Sequence, residues 1–304
     1  ALNNLGLADR GLESWVSAEE RLQRAVEIFE GAYGPGHQWA VSGRRNLTSE
    51  LILRHRWSEA RAVARRLVEV TEGTGNPPSL GDALFNLARV ERLAGRPREA
   101  WTTLQSAEDL IRRELTSDSS RRLRHQTQTA RVLSALGRPE EALRLLAQID
   151  AEQGELPAHH VTRLRTEDAY GAALRRASRL DEAAERFRRV VAIREAHVAQ
   201  NSRLLADAYS RLGSTLAASG RLDEAAPALG RAISIFESSL GPDYPELSVP
   251  LHALGLLEQR LGRIETARGL LERVVELRRR HYPADDRDLL AAEDDLAELV
   301  AASE

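Results

Sequence analysis

Cysteine, methionine and lysine are absent from this chain of 304 residues, and each gap removes a class of chemistry. Without cysteine there is no disulfide framework, no thiol nucleophile and no thiolate-ligated zinc. Without lysine there is no Walker-type phosphate loop and no side-chain Schiff base, and all 43 positive charges are arginine. Aromatic residues make up only 4% and the net charge is −3, which argues against a nucleic-acid surface built from basic patches and stacked rings. No apolar run approaches the roughly 18 residues of a membrane span and no signal peptide is visible. The expected setting is cytoplasmic, with neither membrane nor nucleic acid as partner. No two of the eight histidines stand at zinc-helix spacing, and no G-x-S-x-G occurs. The chain reads as a non-enzyme with no metal and no cofactor.

What the sequence has is a repeat. Alanine returns at Ala18, Ala60, Ala100, Ala142, Ala183, Ala225 and Ala267, at intervals of 42, 40, 42, 41, 42 and 42. Twelve residues before each anchor stands another small residue: Gly6, Thr48, Ala88, Ala130, Gly171, Gly213 and Gly255. Four and seven residues after the anchors come mostly apolar positions such as Leu104, Phe187 and Leu229, then Leu67, Val190 and Val274. Those spacings mark one helical face. Small residues on both helices let two backbones approach to the short end of the roughly 8 to 10 Å range. Arginine lies four before six anchors, and Gly95, Gly137, Gly220 and Gly262 precede it as left-handed helix ends. Each period is therefore a helix hairpin, and stacked hairpins make a solenoid built for binding.

The small residue of the first helix, the Gly-Arg turn and the Glu-Ala anchor (Glu59-Ala60, Glu99-Ala100, Glu141-Ala142, Glu182-Ala183, Glu224-Ala225) resemble the tetratricopeptide repeat. The 42-residue period, Leu2 to Gly6, and the linkers Gly34-Pro35-Gly36-His37 and Gly241-Pro242-Asp243-Tyr244-Pro245 are similar to the long-helix subtype of kinesin light chains. That subtype also occurs in bacterial signalling proteins, behind Ser/Thr kinase or nucleotide-switch ATPase domains. The resemblance implies an all-α, right-handed superhelical solenoid that binds protein segments.

As one solenoid domain over 1–304, the pattern predicts seven hairpins at 1–35, 36–77, 78–117, 118–157, 158–200, 201–241 and 242–282, with a capping helix at 283–304. In that helix Leu289, Leu296, Leu299 and Val300 form the apolar stripe, while Asp285, Asp286, Asp288, Glu293, Asp294, Asp295 and Glu298 dress the other side. The first helix starts inside the repeat pattern at Ala1, which reads as a segment of a longer protein. Leu2, Leu5, Leu7, Leu22 and Val26 are then expected to be exposed and open to association. Pro227 is placed in the first turn of its helix, and Pro250 marks a helix start or kink.

Fourteen residues before the anchors stand Asn4, Asn46, Asn86 and Gln128, followed by Ala169, Arg211 and Ala253. A carboxamide carries donor and acceptor, so it can pair with the backbone of an extended peptide. The resemblance carries that role onto Asn4, Asn46 and Asn86, with Gln128 departing from it. The competing reading is local capping. A basic stripe runs beside the amides, through Arg45, Arg89, Arg92, Arg124, Arg131, Arg165, Arg175, Arg176, Arg211 and Arg260. Arginine forks bind carboxylates, so an acidic segment fits; the alternative is that Asp82, Glu91, Asp168 and Asp207 neutralise the stripe. Trp15 and Trp57 read as packing under turns, whereas Trp39 and Trp101 read as exposed contacts. The expected function is a non-catalytic peptide- or protein-recognition module, the sensing or docking part of a larger regulator. The rival is a scaffold for oligomerisation or for autoinhibition of an N-terminal effector domain.

Overall fold

The computed structural model describes residues 15–74, 77–114, 119–154, 156–199 and 202–302. The described chain is all-α. Its helices are α1 (Trp15–Tyr33), α2 (Gln38–Leu53), α3 (Trp57–Glu72), α4 (Pro77–Leu93), α5 (Pro97–Glu114), α6 (Ser119–Ala135), α7 (Pro139–Glu152), α8 (Val161–Arg176), α9 (Leu180–His197), α10 (Arg203–Ala218), α11 (Leu222–Leu240), α12 (Ser248–Arg260), α13 (Ile264–His281) and α14 (Arg287–Ala301). A short 3-10 turn, Pro245–Leu247, leads into α12. The contacts divide the chain into two compact units, Ala1–Leu145 and Leu146–Glu304, with the division falling inside α7.

The small-residue series explains how each hairpin closes. Ala60, Ala100, Ala142, Ala183, Ala225 and Ala267 are all fully buried. Opposite them, a Cβ on Gly171 would stand 2.6 Å from Phe187 Cζ, and one on Gly213 would stand 2.7 Å from Leu229 Cγ. Glycine is thus required where the partner side chain is large. The second repeat reverses the sizes, with Thr48 at the first position and Ala64 at the other. Close packing tolerates this exchange because the summed volume is kept.

The turn between the helices is equally regular. Gly95, Gly137, Gly220 and Gly262 have φ between +74° and +81°, and His55 and Ser178 adopt the same left-handed conformation at φ +53° and +59°. Paired hydrogen bonds close these turns, as when Arg96 N–H donates to Glu91 C=O and Gly95 N–H to Arg92 C=O. The following arginine then clips the next helix. Arg56, Arg138 and Arg179 each grip the glutamate three residues on, with Nε donating at 2.6 Å in all three. These pairs are exposed, so they fix the turn's geometry more than its stability.

Several positions differ from expectation. Leu22 and Val26 are buried, because Leu22 joins Leu47, Leu51, Ala60 and Leu87 in the core of the second hairpin. Leu2, Leu5 and Leu7 lie outside the described residues, as does Asn4. Pro227 falls in the second turn of α11, not the first, and so removes an intrahelical donor. Pro250 lies in the first turn of α12, directly after the 3-10 turn. Trp101 is only partly exposed, packing on Ala88, Ala100, Leu104 and Val132, with the Arg138 guanidinium 5.2 Å from its ring centre. In α14, Leu289 and Leu299 are buried as the stripe requires, but Asp286 is buried too. Its carboxylate accepts from Arg278 and from the Leu289 N–H, both at 2.9 Å, and so caps the helix.

Candidate functional site

The candidate residues lie on the first helices of the hairpins. In the first unit these are α2, α4 and α6, and α2 touches α4 as α4 touches α6. Asn46 on α2 is half-buried, Asn86 on α4 is 8% exposed, and Gln128 on α6 is half-buried. Asn86 Nδ2 and Gln128 Nε2 are sealed from solvent and have no hydrogen-bond partner among the described residues. A buried donor left unpaired costs roughly 1 to 3 kcal/mol. Of the arginines, Arg45 is exposed while Arg89, Arg92 and Arg131 are half-buried.

The same face holds a pair absent from the sequence reading. His125 Nε2 lies 3.1 Å from Asp82 Oδ1, bridging α6 and α4, and the His125 ring stacks on Phe85 with centres 3.6 Å apart. The 43-residue separation, one repeat length, is the signal that marks it. Burial pushes the His125 pKa down against the pull of Asp82. For Asp82 burial acts upward, but the hydrogen bond with His125 and the charges of Arg121 and Arg124 outweigh it and hold the carboxyl below its ordinary range. His125 Nδ1 is another buried atom with no partner among the described residues.

The second unit has first helices α8, α10 and α12, and here the chemistry is ionic. Of the expected neutralising acids, Asp82 does hold Arg124 of the stripe at 3.6 Å, whereas the others are engaged by arginines outside it. Asp168 pairs with Arg194 at 3.3 Å, while Asp207 and Glu246 share Arg203 at 3.8 and 3.7 Å. In the first unit Glu91 likewise takes Arg61 at 3.5 Å and accepts from Thr103. Burial raises the pKa of both Asp207 and Glu246, with Arg203 opposing. Arg175 and Arg211 are exposed, and neither guanidinium has an ion pair or hydrogen bond among the described residues. Arg175 is pushed down by burial and then by the charges of Arg211 and Arg176. Arg260 is held differently, donating to Ala217 C=O at 2.8 Å.

The tetratricopeptide-repeat family model matches residues 1–73, 79–149 and 204–280. The chain belongs to the tetratricopeptide-repeat family. Among solved structures, this tetratricopeptide-repeat chain is similar to the kinesin light chain TPR-like repeats of Podosopora anserina, at 27% identity and a TM-score of 0.55, over 67% of this chain and 97% of that one. It is also similar to a Rap protein complexed with Competence and Sporulation Factor, at 14% identity and a TM-score of 0.61, over 98% and 86%. A third is BtubC from P. vanneervenii, at 18% identity and a TM-score of 0.55, over 79% and 95%. The last two identities speak for the fold alone. No curated protein matches the sequence. Tetratricopeptide repeats are protein-interaction modules and generally non-catalytic, and no described helix is long and apolar enough to cross a membrane.

Proposed function

We propose that this chain recognises an extended peptide or protein segment along α2, α4 and α6, as the sensing or docking part of a larger cytoplasmic, bacterial signalling protein. Asn46, Asn86 and Gln128 pair with the segment's backbone, and Asn4 extends the row. Arg45, Arg89, Arg92 and Arg131 favour acidic side chains, while Arg175 and Arg211 supply further positive charge in the second unit. Nucleic acid and membrane are not partners, and the mechanism is binding with no reaction. The support for this reading is the row itself: Asn46, Asn86 and Gln128 stand one repeat apart on α2, α4 and α6, first helices that touch in succession. Support also comes from the Rap protein of this fold, whose structure contains Competence and Sporulation Factor.

Peptide display against the 304-residue chain, followed by calorimetry of an enriched peptide, tests the reading. Asn46→Ala with Asn86→Ala removes two backbone pairings of about 0.5 to 1.5 kcal/mol each, so affinity falls tenfold or more at unchanged helix content. Arg89→Ala and Arg131→Ala weaken it further, and their share shrinks as salt rises. An affinity indifferent to all four changes means that another face binds.

A further inference from the structure

The turn between α8 and α9 departs from its equivalents in a way that packing does not explain. Ser178 stands where four described turns carry glycine, in a backbone conformation that favours glycine. The side chain is exposed and its hydroxyl makes no hydrogen bond among the described residues. Ser178 N–H donates to Arg175 C=O at 3.1 Å and Arg179 N–H to Leu174 C=O at 2.9 Å, which folds the serine back over the last turn of α8. That turn ends in Arg175 and Arg176, so Arg175, Arg176 and Ser178 are exposed together, with Leu174 buried beneath them. Two arginines at three and two residues before a serine are the charge pattern by which basic-directed protein kinases choose substrates.

The surrounding cations are equally unusual. Elsewhere in this unit Arg179, Arg186, Arg188, Arg194, Arg203 and Arg221 all hold carboxylates. Arg175, Arg176 and Arg211 hold none among the described residues, although their charges are close enough for Arg176 and Arg211 to act on Arg175. Arg211 arrives from α10, outside this turn. A fold that pairs most of its arginines leaves Arg175 and Arg176 without a carboxylate among the described residues, three and two positions before an exposed hydroxyl.

We propose that Ser178 is a phosphoacceptor and that Arg175 and Arg176 of the same chain receive its phosphoryl group. In the transfer, Ser178 Oγ forms a bond to the γ-phosphorus of ATP held by a basic-directed Ser/Thr kinase. The bond from that phosphorus to the bridging oxygen breaks, ADP leaves with the electron pair, and the hydroxyl proton passes to the kinase's catalytic carboxylate. The product carries about −1.5 to −2 charges at neutral pH and three acceptor oxygens, which guanidinium forks match. This modification stands independently of peptide recognition.

The test incubates the folded 304-residue chain with a purified basic-directed kinase, magnesium and ATP, and maps the product by mass spectrometry. One phosphoryl group at Ser178 is expected, and Ser178→Gly, which suits the turn, takes up none. Phosphorus NMR then titrates the phosphoserine. Its second pKa lies below the ordinary value of about 6, and in Arg176→Ala, incubated until phosphorylated, it moves back towards that value. No incorporation at Ser178 of the folded chain overturns the acceptor assignment, and a second pKa indifferent to both Arg175→Ala and Arg176→Ala overturns the receiving pair.

Discussion

The two units use one hairpin geometry to carry opposite kinds of polar chemistry. In the first, the first-helix face presents amides and a neutral-leaning His125 beside Asp82, with Asn86 Nδ2, Gln128 Nε2 and His125 Nδ1 buried and unpaired among the described residues. In the second, Ala169 and Ala253 stand where the amides would be, and half-buried carboxylates gather on Arg194 and Arg203 instead. The anchor alanines and their facing residues specify the hairpin in both units. The face they leave over is free to vary, and this is how a fold can be read with certainty while its ligand is not.

The largest expected effect tests whether the hairpin contacts are as independent as this comparison implies. Gly171→Leu or Gly213→Leu drives a side chain into Phe187 or Leu229 and costs about 1 to 3 kcal/mol. All four tryptophans lie in the first unit, so the loss should register in hydrogen exchange of α8 to α11 and leave the tryptophan-reported transition nearly unmoved. A matching drop in both signals would make the two units one cooperative block.

The units should also respond to acid in opposite directions. The raised pKa values of Asp207 and Glu246 mean that the folded second unit holds their protons more tightly. Their contribution is complete below the ordinary carboxylate pKa of about 4 and is lost as pH rises through the folded values. In the first unit the lowered pKa of His125 contributes stability above the ordinary histidine value of about 6.5, lost as pH falls through the folded value. Asp82, also lowered, behaves likewise further into acid. Urea midpoints by tryptophan fluorescence, set against exchange in α10 and α12 between neutral and mildly acid pH, check the divergence. Glu246→Gln should flatten the second unit's slope alone, and slopes of one sign in both units break the comparison.

The smallest effect concerns the two turns without glycine. Ser178→Gly relieves a left-handed serine and should stabilise the second unit by up to about 1 kcal/mol. His55→Gly should gain less or lose, because the His55 ring stacks on Trp57 with centres 4.8 Å apart. Thermal melts of the two variants decide the order.

How much of this was legible follows from what each signal depends on. Ala60, Gly171 and Gly213 recur at fixed intervals because backbone approach dictates residue size, so the hairpin was readable without coordinates. The size exchange between Thr48 with Ala64 and Gly171 with Phe187 was also present in the aligned columns. His55 was missed because a left-handed turn announces itself through glycine, and here an imidazole stacked on Trp57 holds the turn instead. Asn86 was placed on the right helix, but its depth was not legible, because a single helix's periodicity carries no information about what packs against it. The same limit applies to Asp82 with His125, two residues whose meaning exists only once α4 lies against α6.

The direct contact between successive first helices also sets a ruler. Packed helices stand about 8 to 10 Å apart, so consecutive amides of the row are spaced by nearly the same length. A ligand in polyproline II conformation rises about 3.1 Å per residue with three residues per turn. It would therefore offer the same face to Asn46, Asn86 and Gln128 in turn. A flat β-strand covers that interval in about three residues at roughly 3.3 Å each and presents alternate faces. If the proposed segment lies along this row, the pitch favours ligands with a threefold beat, whose contacts should repeat at every third position.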